Sequence, residues 1–211
     1  MVNKAKNDVL IYAEGGGDSD QLKSECRQAF AEFFAKTELG TTRRPRVVAC
    51  GGRSSAYDSF VTAISQGKNA LLLVDSESPI APTNQTPNNF NPWAHLLARD
   101  NWATPATASN NDCHLMTQCM ESWFIADWSA AENFFGQGFD SNRKPNGAIE
   151  TVAKSDVYTA LELASKNCKT KAPYGKGAHS FKLLALIKPD IVMQASPWAN
   201  RFIDELKKRK P

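Results

Sequence analysis

At 211 residues the chain is long enough for one substantial core, and 42% hydrophobic with 22% charged residues are ordinary globular values. A formal charge of +3, from 25 Lys and Arg against 22 Asp and Glu, is too weak by itself to argue for nucleic acid. Five widely spaced cysteines without a CxxC argue against a disulfide framework or a zinc knuckle, and fit a reducing cytoplasm. No signal-like apolar stretch opens the chain, and its apolar runs fall short of the roughly 20 residues that cross a bilayer. A cytoplasmic protein without a membrane partner is therefore expected.

Residues 1–8 read as a polar, frayed lead-in. Val9 to Ala13 has the length and β-branched character of a buried parallel strand and breaks off at Glu14-Gly15-Gly16-Gly17-Asp18. Asp18 or Ser19 then caps a helix whose apolar face is Leu22, Cys26, Ala29, Phe30, Phe33 and Phe34, with Gly40 as its stop. Arg46–Cys50 reads as a second strand ended by Gly51-Gly52. A second helix from about Ser54 turns Ala56, Tyr57, Phe60, Val61 and Ile64 inward and closes at Gly67. A third strand, through Leu71 to Asp75, ends at Asp75-Ser76-Glu77. This β-α-β-α-β order with short connections predicts a parallel sheet with right-handed crossovers.

Residues 78–92, with Pro79, Pro82, Pro87 and Pro92, form a long polar loop directly after the acidic pair. A short amphipathic segment follows at 92–99, then a polar stretch at 100–112. His114–Cys119 is the candidate fourth strand, leading into a helix at 121–127 and another at 129–135. Residues 136–150 read as an irregular connection, and helices are expected at about 155–167, 179–187 and 197–209. There is no internal repeat. The chain is thus expected to be one domain, with an α/β core at 1–127 and a helical extension at 128–211.

The chemistry-bearing candidates are the acids at the strand ends. In open α/β sheets ligands bind outside the carboxyl ends of the strands, so Glu14, Asp75 and Glu77 are placed to meet in one crevice. Asp75 and Glu77, at i and i+2, project together where extended geometry persists. Paired carboxylates repel unless a cation or proton lies between them, and hard oxygen ligands favour Mg²⁺ or Mn²⁺ over zinc. The plainer reading of the same residues is a turn cap or a solvated acid. The Glu14 loop also reads two other ways: a phosphate-cradling turn, or glycines that merely permit a tight bend. It lacks GxGxxG spacing, and the chain contains no GxxxxGK[ST] and no GxSxG. His95, His114 and His179 show no HxxxH spacing. The basic candidate is Lys169–Ser180, where Lys176 stands between Gly175 and Gly177 ahead of a helix, either as an anion site or as a solvated loop. The Lys207-Lys208-Arg209-Lys210 tail reads as a solubilising helix end.

With these residues in view, a strand ending in Glu-Gly and another ending in an Asp-x-Glu pair resemble the TOPRIM domain of topoisomerases, primases and overcoming-lysogenization-defect nucleases. More closely, the chain resembles a family of small uncharacterised TOPRIM-like prokaryotic proteins. The resemblance rests on Tyr12–Asp18, Ala49–Arg53, Leu73–Glu77, Gln118–Phe124 and Lys176–Ser180, and covers nearly the whole chain. It implies a TOPRIM-like α/β fold and a Mg²⁺ (or Mn²⁺) site held by Glu14, Asp75, Glu77 and Glu121. Glu14 would act as general acid/base or metal ligand, and Lys176 would assist catalysis. Arg53, Lys176 and His179 would contact phosphate or nucleic acid. The second member of the acidic pair is Glu where the TOPRIM pattern usually has Asp. The implied activity is Mg²⁺-dependent hydrolysis of DNA or RNA in antiphage defence, controlled by a partner ATPase, with oligomerisation open. The alternative is a catalytically silent TOPRIM-like sensor or regulatory subunit that binds an ATPase or a nucleotide. A nucleotidyl-transfer activity is a third reading that no motif demands.

Overall fold

The computed structural model describes residues 8–39, 45–86 and 89–209. The lead-in at 1–7, the Gly40 stop, Pro87 and Lys210 lie outside the described residues. The central element is a four-stranded parallel sheet of β1 (Leu10–Ala13), β2 (Arg46–Ala49), β3 (Ala70–Asp75) and β6 (Cys113–Met116), in the spatial order β2-β1-β3-β6. Register runs from Leu10 opposite Arg46 and Ala70 to Ala13 opposite Ala49 and Leu73. The chain leaves β1 toward one edge and returns past it to build β3 and β6. The switch point, where crossovers diverge and leave a crevice, is therefore between β1 and β3.

Period-2 alternation sorts the strand residues onto two buried faces. Ile11, Ala13, Leu71 and Leu73 face a core made with α1 (Asp20–Ala35), α4 (Ser122–Ala126), α5 (Trp128–Phe135), α6 (Lys154–Ser165) and α7 (Ser180–Leu186). Tyr12, Leu72 and Val74 face a smaller core made with α2 (Arg53–Ser65) and α3 (Pro92–Asp100), closed by Trp198 of α9 (Pro197–Lys208). All six residues of β3 are buried, as both covered faces require.

The first helix forms as its pattern predicts. Ser19 caps it by accepting the Leu22 N–H at 3.2 Å, and Cys26, Ala29, Phe30, Phe33 and Phe34 are buried at helical spacing. Phe33 stacks on Trp123 with ring centroids 5.4 Å apart, which ties the front of the chain to its second half. Each such buried ring contributes roughly 1.5–3 kcal/mol of transfer free energy.

Several expectations need correction. The fourth strand is Cys113–Met116, ending three residues earlier than the 114–119 reading, because the chain turns at Thr117 to carry Met120 and Glu121 toward the acidic crevice. The 78–92 loop holds a small antiparallel pair, β4 (Gln85–Thr86) and β5 (Asn89–Phe90), too short for any periodic signal. Helix α8 (Pro189–Ala195) fills the gap left between the expected helices at 179–187 and 197–209, and Pro189 at its start is compatible with helix entry.

Beyond β1 and β2 the pairing continues as a single bridge, with Gly15 and Gly51 exchanging N–H···O=C bonds of 2.9 Å each way. Gly51 has φ +78°, and a Cβ there would lie 2.6 Å from the Gly17 carbonyl oxygen. Gly51→Ala is therefore expected to destabilise the fold by more than about 1 kcal/mol, measured by denaturant unfolding. Gly52→Ala, next to it with open space around its Cβ position and no left-handed φ, serves as the control and should be far milder.

Candidate metal centre

Glu14 follows β1, and its N–H continues the ladder by donating to the Leu73 carbonyl at 2.9 Å. Its Oε2 accepts the Asp75 N–H at 3.1 Å and lies 3.5 Å from the Arg53 guanidinium. Asp75, the last residue of β3, is 3% exposed. Its Oδ1 accepts the Met120 N–H at 2.9 Å, and its Oδ2 lies 3.3 Å from the Lys154 ammonium. Extended geometry does not persist to Glu77, which turns into the left-handed region at φ 65° while its N–H donates to the Gln118 carbonyl at 2.8 Å. The side chain nonetheless returns to the crevice and meets Lys154 at 2.5 Å. One carboxylate oxygen from each of Glu14, Asp75 and Glu77 can be chosen so that all three lie within 4.8 Å of one another. The acidic convergence expected from the strand ends is present, although Glu77 reaches it by a turn.

Glu121 stands apart from that triad. It is 1% exposed and accepts hydrogen bonds of 3.1 Å from each of the Tyr158, Tyr174 and Ser180 hydroxyls. It lines the same cavity as Glu14 and Asp75 but holds together the wall made by α6 and the 174–180 loop. The cavity, about 260 Å³, is floored by Gly15–Gly17 and Gly51, and Leu22, Met116, Met120 and Phe181 make its apolar side. Lys176 borders it, exposed, with its ammonium 5.5 Å from the centre of the Tyr158 ring.

Two residues expected at phosphate have other duties. The Arg53 guanidinium is held by Glu14, the Asp75 carbonyl and Asp100, the last at 2.6 Å, and lies 5.1 Å from the Trp102 ring centre. It braces the acidic strand ends through both terminal nitrogens. His179 does not line the cavity: its Nδ1 accepts the Gly175 N–H at 3.0 Å and its ring packs among Phe134, Phe135 and Tyr174. It shapes the loop that carries Lys176.

Lys154 is the site residue that pattern reading missed. It is the first residue of α6, where a cation opposes the helix dipole, and that misfit is the only local signal it gives. Arg99 was likewise unremarked; it lies 4.0 Å from Glu77 and pairs with Asp100.

Charge crowding shifts the acids in different directions. Burial, then Glu14 and Glu121, push the Asp75 carboxyl up to about 8, against the pull of Lys154 and Lys176. Burial also raises Glu14, with Glu77 adding to it, while Arg53, the Asp75 N–H and Lys154 oppose. At Glu77 burial acts upward, but the Lys154 contact, with Arg53 and Arg99, leaves the carboxyl below its ordinary value. Lys154 itself is raised: burial acts downward and the Asp75 and Glu77 charges outweigh it. Three hard oxygen donors in this arrangement suit a divalent cation, and the ammonium already lies against two of them.

The molecule is thus an α/β protein with a carboxylate centre at the switch point of a parallel sheet. Residues 13–207 match a family described as a domain of unknown function, DUF4276, and the chain belongs to that family. No curated protein and no solved structure matches it. No helix among the described residues is long and apolar enough to cross a membrane.

The Asp75 shift has a measurable consequence. A carboxyl raised from an ordinary value near 3.9 to about 8 is neutral in the folded protein at pH 5, and folding stability drains away as pH climbs through that interval. Asp75→Asn lacks this loss. The difference in thermal midpoint, variant minus wild type, should therefore grow between pH 5 and pH 9 by at least about 2 °C. A difference that shrinks with pH would show that Lys154 pairing dominates Asp75.

Proposed function

We propose that this centre hydrolyses phosphodiester bonds of nucleic acid with a bound Mg²⁺ or Mn²⁺, in the cytoplasm. The observation that carries the reading is the convergence of Glu14, Asp75 and Glu77 from the ends of two adjacent parallel strands. Asp75 and Glu77 would hold the cation. Such a cation supplies charge neutralisation at the scissile phosphate and acidifies a bound water. Glu14 is suited to take the proton, because its Oε1 has no hydrogen-bond partner among the described residues and its carboxyl is raised by burial. Lys176, exposed at the mouth and without an ion pair among the described residues, is positioned to steady a phosphate oxygen. A role in antiphage defence under a partner ATPase rests on the resemblance to TOPRIM-type nucleases alone.

One observation favours the second reading, a catalytically silent or gated TOPRIM-like subunit that binds an ATPase or a nucleotide. The Lys154 ammonium, 2.5 Å from Glu77 and 3.3 Å from Asp75, balances the acids without a metal.

The test is cleavage of single-stranded DNA, duplex DNA, RNA and transfer RNA in Mg²⁺ or Mn²⁺, with and without a candidate partner ATPase. Glu14→Gln and Asp75→Asn should each reduce cleavage by at least about 100-fold, the scale of losing a general base or a metal ligand. Cleavage that survives both substitutions rejects the site. Absence of cleavage under every condition, together with tight binding of a partner, establishes the silent reading.

A further inference from the structure

Lys154 is held where it is by the acids and by nothing local. It opens α6 without a side-chain cap at Ala153, at the end of the helix where a positive charge is least welcome. Its ammonium reaches across to Glu77 Oε1 at 2.5 Å and Asp75 Oδ2 at 3.3 Å, from 77 and 79 residues away along the chain. These are the two carboxylates that the proposed function assigns to the cation, and the remaining Asp75 oxygen is already engaged by the Met120 N–H. An ammonium and a divalent ion compete for the same lone pairs. The Lys154 side chain is 22% exposed, so it has a path to solvent.

We propose that Lys154 is an internal counter-ion that a divalent metal must displace from Asp75 and Glu77, and that it thereby sets the metal affinity of the centre. The inference rests on the metal-dependent reading above. While Lys154 occupies the site the acids stay paired and the centre is closed to weakly bound cations. Ions that bind oxygen donors more tightly are admitted first, so Mn²⁺ loads at lower concentration than Mg²⁺. Lys154 acts through the metal ligands and is a positioning residue, so activity alone would not identify its role.

The test is calorimetric titration of the purified, chelator-treated chain with Mn²⁺, on the wild type, Lys154→Met and Lys154→Arg. Lys154→Met removes the charge and keeps most of the stem; it should bind Mn²⁺ at least about tenfold more tightly and show a larger Mn²⁺-induced rise in thermal midpoint. Lys154→Arg keeps the charge and should stay within about threefold of wild type. If Lys154→Met unfolds without metal and recovers its fold on Mn²⁺ addition, the two cations are shown to be interchangeable and the proposal stands. Equal affinities in all three proteins, or weaker binding by Lys154→Met, overturn the counter-ion role and leave the metal reading intact. No heat and no thermal shift in any of the three removes both.

Discussion

The burial of like charges at one end of the sheet is the constraint on which the rest of this structure depends. Glu14, Asp75 and Glu77 crowd within 4.8 Å of one another, and Asp75 is almost fully removed from water. Uncompensated, such a group would protonate or open the fold. Each acid is given partners that offset part of this cost: Arg53 and the Asp75 N–H for Glu14, Met120 N–H and Lys154 for Asp75, Lys154 and Arg99 for Glu77, with burial still leaving the Asp75 and Glu14 carboxyls raised. Those partners come from α2, α3, α6 and the turn after β6, so the compensation recruits elements from both halves of the chain. A site maintained against its own electrostatics is the pattern expected where function opposes stability.

The sheet explains why that crowding occurs where it does. Parallel strands all end on the same side, and the divergence of crossovers at β1 and β3 leaves their ends uncovered by a connecting helix. The glycines after β1 and β2 lock those two ends to each other through the Gly15–Gly51 bridge. Glu14 is thereby held at the rim of the crevice. The Glu121 cluster makes the opposite wall in a different way, with a buried carboxylate satisfied by three hydroxyls from α6, the 174–180 loop and α7.

Much of this was readable in the residues, and what escaped did so for physical reasons. The β-α-β-α-β order was legible because Val9–Ala13, Val47–Ala49 and Leu71–Val74 are apolar on both faces and bracketed by glycines and acids. The acidic triad was legible because strand ends in a parallel sheet gather in one place. The turn at Glu77 was not, since its left-handed backbone is imposed by the Gln118 carbonyl, a partner 41 positions on. Lys154 was invisible for a similar reason: one lysine among 25 basic residues has no local mark, and only tertiary packing brings it to Asp75. The folded-state partners of Arg53 and His179 were likewise out of reach of the sequence, because Asp100 and the Phe134–Phe135 pair meet them only through tertiary packing.

The long reach of Lys154 also gives the centre an order in time. A chain made from its N-terminus completes β1, α1, β2, α2 and β3 within its first 75 residues, so the acids exist long before their counter-ion leaves the ribosome. Until residue 154 emerges, Asp75 and Glu77 have no ammonium between them, and until residues 174–180 emerge Glu121 has lost two of its three donors. The growing chain therefore carries these acids before the side chains that pair with them have been made. Only the last third of the polypeptide supplies those partners, so a product truncated before residue 154 carries the acids without their ammonium and without these Glu121 donors.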